Sequence, residues 1–251
     1  MEARRFFGRD GAELAFCETG SGRPLILLHG FMGSGSHLLE HSKFGAFVEQ
    51  GYRIVLPDLR GHGDSAKSHD PAAYPPDVLA DDGLALVEHL GLGDGDYDLG
   101  GYSLGARIVV RMLARGAKPG RAIAAGQGLA KVSGPQGGGA SHRLLTALVD
   151  GTALEPDSPE AGMARWASQV GADPQALLYL LGSLVPTTEE ELRRITVPTL
   201  VAIGDQDERS DADELAALLG DARFVRVPGD HGSAFGAPEL VAAMDDFLAG
   251  R

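Results

Sequence analysis

The chain alternates. From residue 24 onward an apolar run, a turn rich in glycine or aspartate and a helical stretch follow one another several times, and this rhythm constrains the fold more than any other feature. The apolar runs are Pro24 to Leu28, Arg53 to Pro57, Asp96 to Tyr102, Arg121 to Ala125, Thr199 to Ile203 and Arg223 to Val227. Helical patterns lie at roughly Ser36 to Gln50, Pro76 to Leu90, Leu104 to Arg115, Asp211 to Leu219 and Pro238 to Ala249. Runs that are apolar throughout suit strands covered on both faces. The alternation therefore predicts an α/β domain with a mostly parallel central sheet flanked by helices. Ahead of it, Arg4 to Phe7 and Leu14 to Thr19 read as a short antiparallel pair around the Arg9-Asp10-Gly11 turn. Between about Leu129 and Thr196 the rhythm stops, and a glycine-rich link, Gly134 to Gly139, leads into two or three short helical patterns. This predicts a small helical cap over residues 129–190, inserted into a core built from residues 1–128 and 191–251. Apolar cap residues such as Leu144, Leu145, Trp166 and Leu177 serve either to pack the cap onto the core or to line a pocket; packing is the commoner role of such stripes.

In open sheets of this kind, ligands bind beyond the carboxyl ends of the strands, so the loops there carry the chemistry. Residues 99 to 105, Leu-Gly-Gly-Tyr-Ser-Leu-Gly, place Ser103 between Gly101 and Gly105 at a strand-to-helix turn. With 36 glycines in the chain a G-x-S-x-G pattern can arise by chance. The strand before it and the helix after it give the pattern weight. A serine hydroxyl is a weak nucleophile at neutral pH and needs a base that is itself held by an acid.

Eight histidines compete for the base role. His231 sits just past the last apolar run, in Gly229-Asp230-His231-Gly232, at the carboxyl edge of the sheet. His29 also follows a strand, but Gly30-Phe31-Met32-Gly33 beside it suggests a loop that offers backbone donors. His62 and His69 follow Asp58, and His37, His41, His89 and His142 fall in helical patterns, where surface or packing roles prevail. For the acid, Gly204-Asp205-Gln206-Asp207-Glu208 follows the Thr199 run, with Asp207 favoured by reach, then Asp205, then Glu208. The loop after Arg121 to Ala125 offers no carboxylate. An oxyanion needs two donors: the N–H of Leu104, at a helix start, is one, and that of Phe31 is assigned as the other.

Composition narrows the class. A chain of 251 residues with 43% hydrophobic content buries a sizeable core, and its formal charge of −13 with no compensating basic cluster argues against nucleic acid. No apolar run reaches signal-peptide or membrane-spanning length, so a soluble, cytoplasmic protein without membrane association is expected. Cys17, the single cysteine, forms no intrachain disulfide and has nothing nearby to activate its thiol. Acyl transfer by a serine, a histidine and a carboxylate requires neither metal nor organic cofactor, and the expected partner is a small-molecule acyl substrate. No heptad pattern indicates an oligomer.

Taken together, these residues resemble the α/β-hydrolase superfamily over nearly the whole chain apart from the cap. His29-Gly30-Phe31 is similar to that family's oxyanion loop, Asp58-Leu-Arg-Gly-His-Gly-Asp-Ser65 to its loop after the following strand, Gly101-Tyr-Ser-Leu-Gly105 to its nucleophile elbow and Gly204-Asp-Gln-Asp207 to its acid loop. The resemblance implies a triad of Ser103, Asp207 and His231 with an oxyanion hole from Phe31 and Leu104. It departs from the pattern at Asp230, where a smaller residue usually precedes the base, and in the cap, which matches no one branch. The activity implied is serine-dependent cleavage of an ester, lactone or related acyl compound. The same triad also serves carbon–carbon hydrolysis, and the same scaffold serves ligand binding without turnover.

Overall fold

In the computed structural model, which describes residues 3–134 and 139–251, strand residues alternate between two cores. Leu25 and Leu27 face one, Ile26 and Leu28 the other, and Ile54 and Leu56 alternate with Val55 in the same way. Both sets are buried, which is why these strands read as unbroken apolar runs.

Among the described residues eight strands form one sheet: β1 (Arg4–Phe7), β2 (Glu13–Gly20), β3 (Arg23–Leu28), β4 (Tyr52–Pro57), β5 (Asp98–Tyr102), β6 (Ala122–Ala125), β7 (Thr199–Gly204) and β8 (Ala222–Val227). Their spatial order is β1-β2-β4-β3-β5-β6-β7-β8. Only the β1–β2 and β2–β4 pairs are antiparallel. All others run parallel, so the expected mostly parallel α/β sheet is present.

The helices are α1 (Gly35–His41), α2 (Ala46–Glu49), α3 (Val78–His89), α4 (Leu104–Ala114), α5 (Leu129–Ser133), α6 (Ala140–Asp150), α7 (Pro159–Gln169), α8 (Pro174–Ser183), α9 (Glu189–Arg193), α10 (Ala212–Leu218) and α11 (Pro238–Leu248). Leu86 of α3, Ile108 and Met112 of α4 and Leu215 of α10 fill one face of the sheet. Leu38 of α1, Phe47 of α2 and Leu240, Met244 and Phe247 of α11 fill the other.

Two expectations need correction. The single helix foreseen over Ser36 to Gln50 is broken into α1 and α2. Ser42 closes α1 with its N–H on the Leu38 carbonyl, its hydroxyl accepts the Phe44 N–H, and the intervening turn lets both Phe44 and Phe47 reach the core. The strand foreseen from Asp96 begins only at Asp98, because the Asp96 carboxylate accepts the Gly93 N–H and closes a turn instead.

Between β6 and β7 lie α5 to α9 among the described residues, more helices than the two or three foreseen. Residues 135–138 of the glycine-rich link lie outside the described residues. α6, α7 and α8 enclose a third apolar cluster of Leu144, Leu145, Ala167 and Leu177, and Met32 from the loop after β3 joins it. No helix among the described residues is long and apolar enough to cross a membrane.

Candidate active site

Register alone brings the loops together. β3 and β5 pair with Leu28 opposite Gly101, so Gly30 and Ser103 each lie two residues past the same rung. A Cβ placed on Gly30 would stand 3.5 Å from the Ser103 Cβ. On the other side β7 and β8 pair with Gly204 opposite Val227, which sets Asp207 and His231 three and four residues past a shared rung.

Ser103 occupies the sharp turn from β5 into α4, with φ 55° and ψ −116°, a left-sided conformation that side-chain-bearing residues rarely adopt. Its N–H donates to the Ala125 carbonyl at 2.8 Å and its carbonyl accepts the Arg107 N–H at 3.1 Å, so neighbours on both sides hold the strain. A Cβ on Gly101 would overlap the Gly105 carbonyl, and one on Gly105 would overlap the Leu28 carbonyl. The two glycines of the motif are thus required by backbone contact rather than by flexibility.

His231 Nδ1 lies 2.7 Å from Asp207 Oδ2, and its Nε2 lies 3.0 Å from Ser103 Oγ. Ionised Asp207 only accepts, so Nδ1 carries the hydrogen and Nε2 is left to accept the serine O–H. Burial pulls the Asp207 carboxyl up, but the Arg209 N–H, His231 and the Arg209 side chain together hold it below the usual carboxylate value. Burial holds the His231 imidazole below its ordinary 6.5, and the nearby Arg209 charge lowers it further against the pull of Asp207. The imidazole is therefore a neutral base at neutral pH.

The two other carboxylates of the acid loop serve elsewhere. Asp205 accepts the Gly229 N–H at 2.9 Å and ties the β7 loop to the β8 loop. Glu208 is exposed and faces Arg209 at 3.8 Å. Asp230 turns away from the base, its carboxylate accepting the Gly232 and Ser233 N–H groups of its own turn.

Leu104 is the first residue of α4, where the helix leaves its N–H groups without intrahelical acceptors. Among the described residues neither the Leu104 N–H nor the Phe31 N–H has an internal acceptor. The orientation of the Phe31 peptide has an identifiable cause. The Leu59 N–H donates to His29 Nε2 at 3.0 Å, which puts the hydrogen of that imidazole on Nδ1. His29 Nδ1–H then donates to the Gly30 carbonyl at 2.8 Å, and the Gly33 N–H donates to the same oxygen at 3.0 Å. In a trans peptide the Phe31 N–H points opposite to that carbonyl, so two donors on the oxygen fix the direction of the N–H. Burial lowers the His29 pKa to about 4 and keeps the ring neutral in this role.

Two contributors, Tyr102 and Arg209, escaped the sequence reading. Tyr102 donates its hydroxyl to the His231 carbonyl at 2.6 Å and lays its ring 5.4 Å from the imidazole, holding His231 in place. Its place inside the G-x-S-x-G motif was the available signal. Arg209, two residues from Asp207, donates to Oδ1 from both its N–H at 3.1 Å and its guanidinium at 3.0 Å. The Asp58 to Ser65 loop is a brace. Asp58 accepts the N–H groups of Gly35 and Asp64, and Ser65 links Asp58 to Ala15. His62 within it is buried edge-on to His29 and Phe31, at 5.0 and 6.0 Å between ring centres. Cys17 is half-buried against the Leu56 carbonyl, and burial raises its thiol pKa, so it stays unreactive.

Comparison with known proteins identifies the family of the fold. The alpha/beta hydrolase family model matches residues 25–244. A non-heme haloperoxidase of Rhodococcus erythropolis is 29% identical over 257 residues, covering 89% of this chain and 90% of that one. A non-heme chloroperoxidase of Burkholderia pyrrocinia is 28% identical, covering 80% of this chain and 81% of its own. Among solved structures, a thermophilic esterase from Thermogutta terrifontis superposes with a TM-score of 0.78 at 23% identity, covering 100% of this chain and 99% of that one. The sheet order, the elbow at Ser103 and the extent of the family match lead to one assignment: the chain belongs to the alpha/beta hydrolase family.

Proposed function

We propose that this hydrolase cleaves a carboxylic ester, lactone or related acyl compound through an acyl-enzyme on Ser103. The observation that carries the reading is the unbroken hydrogen-bonded series from Asp207 through His231 to Ser103, at 2.7 and 3.0 Å. As Ser103 Oγ attacks the carbonyl carbon, its proton passes to His231 Nε2, and the imidazolium that forms is held by Asp207. The developing oxyanion is met by the N–H groups of Phe31 and Leu104. Collapse breaks the bond to the leaving oxygen, which takes the proton from Nε2. Water then attacks the acyl-enzyme, giving its proton to the same nitrogen, and the acid departs as Ser103 regains its hydrogen.

The names of similar proteins span haloperoxidases, lipases, esterases and epoxide hydrolases. A serine at the elbow favours acyl transfer over epoxide opening, in which the family uses an aspartate as the attacking group. Residues 129–190 are read as a cap that shapes the substrate site, since their apolar cluster takes in Met32 of the loop beside Ser103. The test is a panel of acyl esters, lactones, thioesters and 1,3-diketones with Ser103→Ala as blank. Turnover of an ester or lactone, reduced at least about a thousandfold in the variant, is expected. Cleavage confined to the diketones, or parental rates in the variant, contradicts the reading.

A further inference from the structure

A cavity of ≈ 340 Å³ opens between α1, α7 and the loop after β3, bounded by Met32, His37, Glu40, His41, Trp166 and Gln169 among others. Met32, Gly33 and Ser34 of its wall belong to the same loop as Gly30, on which an added Cβ would stand 3.5 Å from the Ser103 Cβ. Three flat rings furnish the cavity. His37 stacks on His41 at 4.1 Å and meets Trp166 edge-to-face at 4.8 Å. Trp166 remains 38% exposed, an unusual cost for the chain's single tryptophan. Met32 holds its wall at φ 60° while 3% exposed, a conformation that persists because its side chain is packed into the cluster of Leu144 and Leu177. Among the described residues, Glu40 has no ion-pair partner, and the His37 and His41 imidazoles, Trp166 and Gln169 make no side-chain hydrogen bond to protein.

The geometry points to a subsite for a planar aromatic group of the substrate that carries no negative charge. The rings supply edge and face contacts of the kind aromatic pairs prefer. The Glu40 carboxylate, beside an imidazole that burial and His41 keep below its ordinary pKa, turns anions away. This inference rests on the reading of Ser103 as an acyl nucleophile and names the class of substrate it takes.

Trp166 makes the test direct, because its fluorescence reports the cavity alone. Titration of the intact protein with benzyl alcohol is expected to change the emission saturably, with hexanol and benzoate binding at least about fivefold more weakly. In kinetics, Trp166→Ala is expected to raise KM about five- to tenfold for benzyl acetate or for methyl phenylacetate, according to which side of the ester enters the cavity. Methyl acetate should be unaffected, and Trp166→Phe should restore the parental KM. Unchanged emission, equal binding of benzoate, or unchanged KM for both aromatic esters overturns the subsite while leaving ester turnover intact. Saturable emission without turnover of any ester would instead overturn the nucleophile reading and, with it, the role of the cavity as a substrate subsite.

Discussion

At the scale of the residue, the candidate site turns on a strained serine and two glycines that admit it. Because a Cβ at Gly105 would overlap the Leu28 carbonyl, backbone must move to accommodate Gly105→Ala. We expect a loss of more than about 3 kcal/mol in urea denaturation, with activity falling further than stability does. A variant as stable and active as the parent would contradict the packing argument. Arg209 tunes His231 alongside burial. Burial is the larger cause of the lowered His231 pKa and the Arg209 charge adds to it; a general base works only when unprotonated, so removing the charge raises that pKa and carries the acid limb of the kcat/KM profile to higher pH. Arg209→Met should show this shift and Arg209→Lys much less of it. Profiles that superimpose would show that Arg209 only shapes the loop. This role was hidden in the sequence although Arg209 stands two residues from Asp207, because a side chain's direction does not follow from adjacency.

At the scale of the element, the loop after β4 owes its shape to one buried cation. Arg60, 2% exposed, donates to Asp82 of α3 at 2.9 and 2.8 Å, to Asp10 at 2.6 and 2.8 Å and to the Ala73 carbonyl at 2.7 Å. Removing it strands the buried Asp82 carboxylate. Arg60→Met is expected to cost about 3–5 kcal/mol in urea denaturation, and adding Asp82→Leu should recover part of the loss. A double variant no more stable than the single one would contradict the pairing. β3, β4, β6 and β7 were legible because their central residues are buried on both faces and so read as apolar runs, and the elbow was legible because its glycines are forced by backbone contact. The break after α1 was not: Ser42 and Gly45 sit inside an otherwise continuous helical pattern, and only the docking of Phe44 and Phe47 on the sheet makes the turn worthwhile. Nor were the partners of Arg60, which lie 22 and 50 residues away.

At the scale of the whole molecule, the strand order is what assembles the candidate site. The chain places β5 beside β3 and β8 beside β7, and just after β6 Gly126, at φ 70°, lets the backbone pass against the Tyr102 ring, where a Cβ would crowd it. The site sits in a molecule of formal charge −13, whose field repels anions over roughly a Debye length, about 10 Å at 0.1 M salt. Added salt should therefore raise kcat/KM for an ester bearing a free carboxylate and leave that of its neutral methyl ester unchanged; equal responses would place the charge too far away to matter. The central claim is that Asp207 and His231 make Ser103 reactive. Its most direct measurement is intact-mass and peptide analysis after exposure to a fluorophosphonate, with the parent beside His231→Ala and Ser103→Ala. A single adduct on Ser103 is expected in the parent, formed at least about a hundredfold more slowly in His231→Ala and not at all in Ser103→Ala. No adduct on the parent, or labelling that proceeds as fast without His231, would contradict that claim.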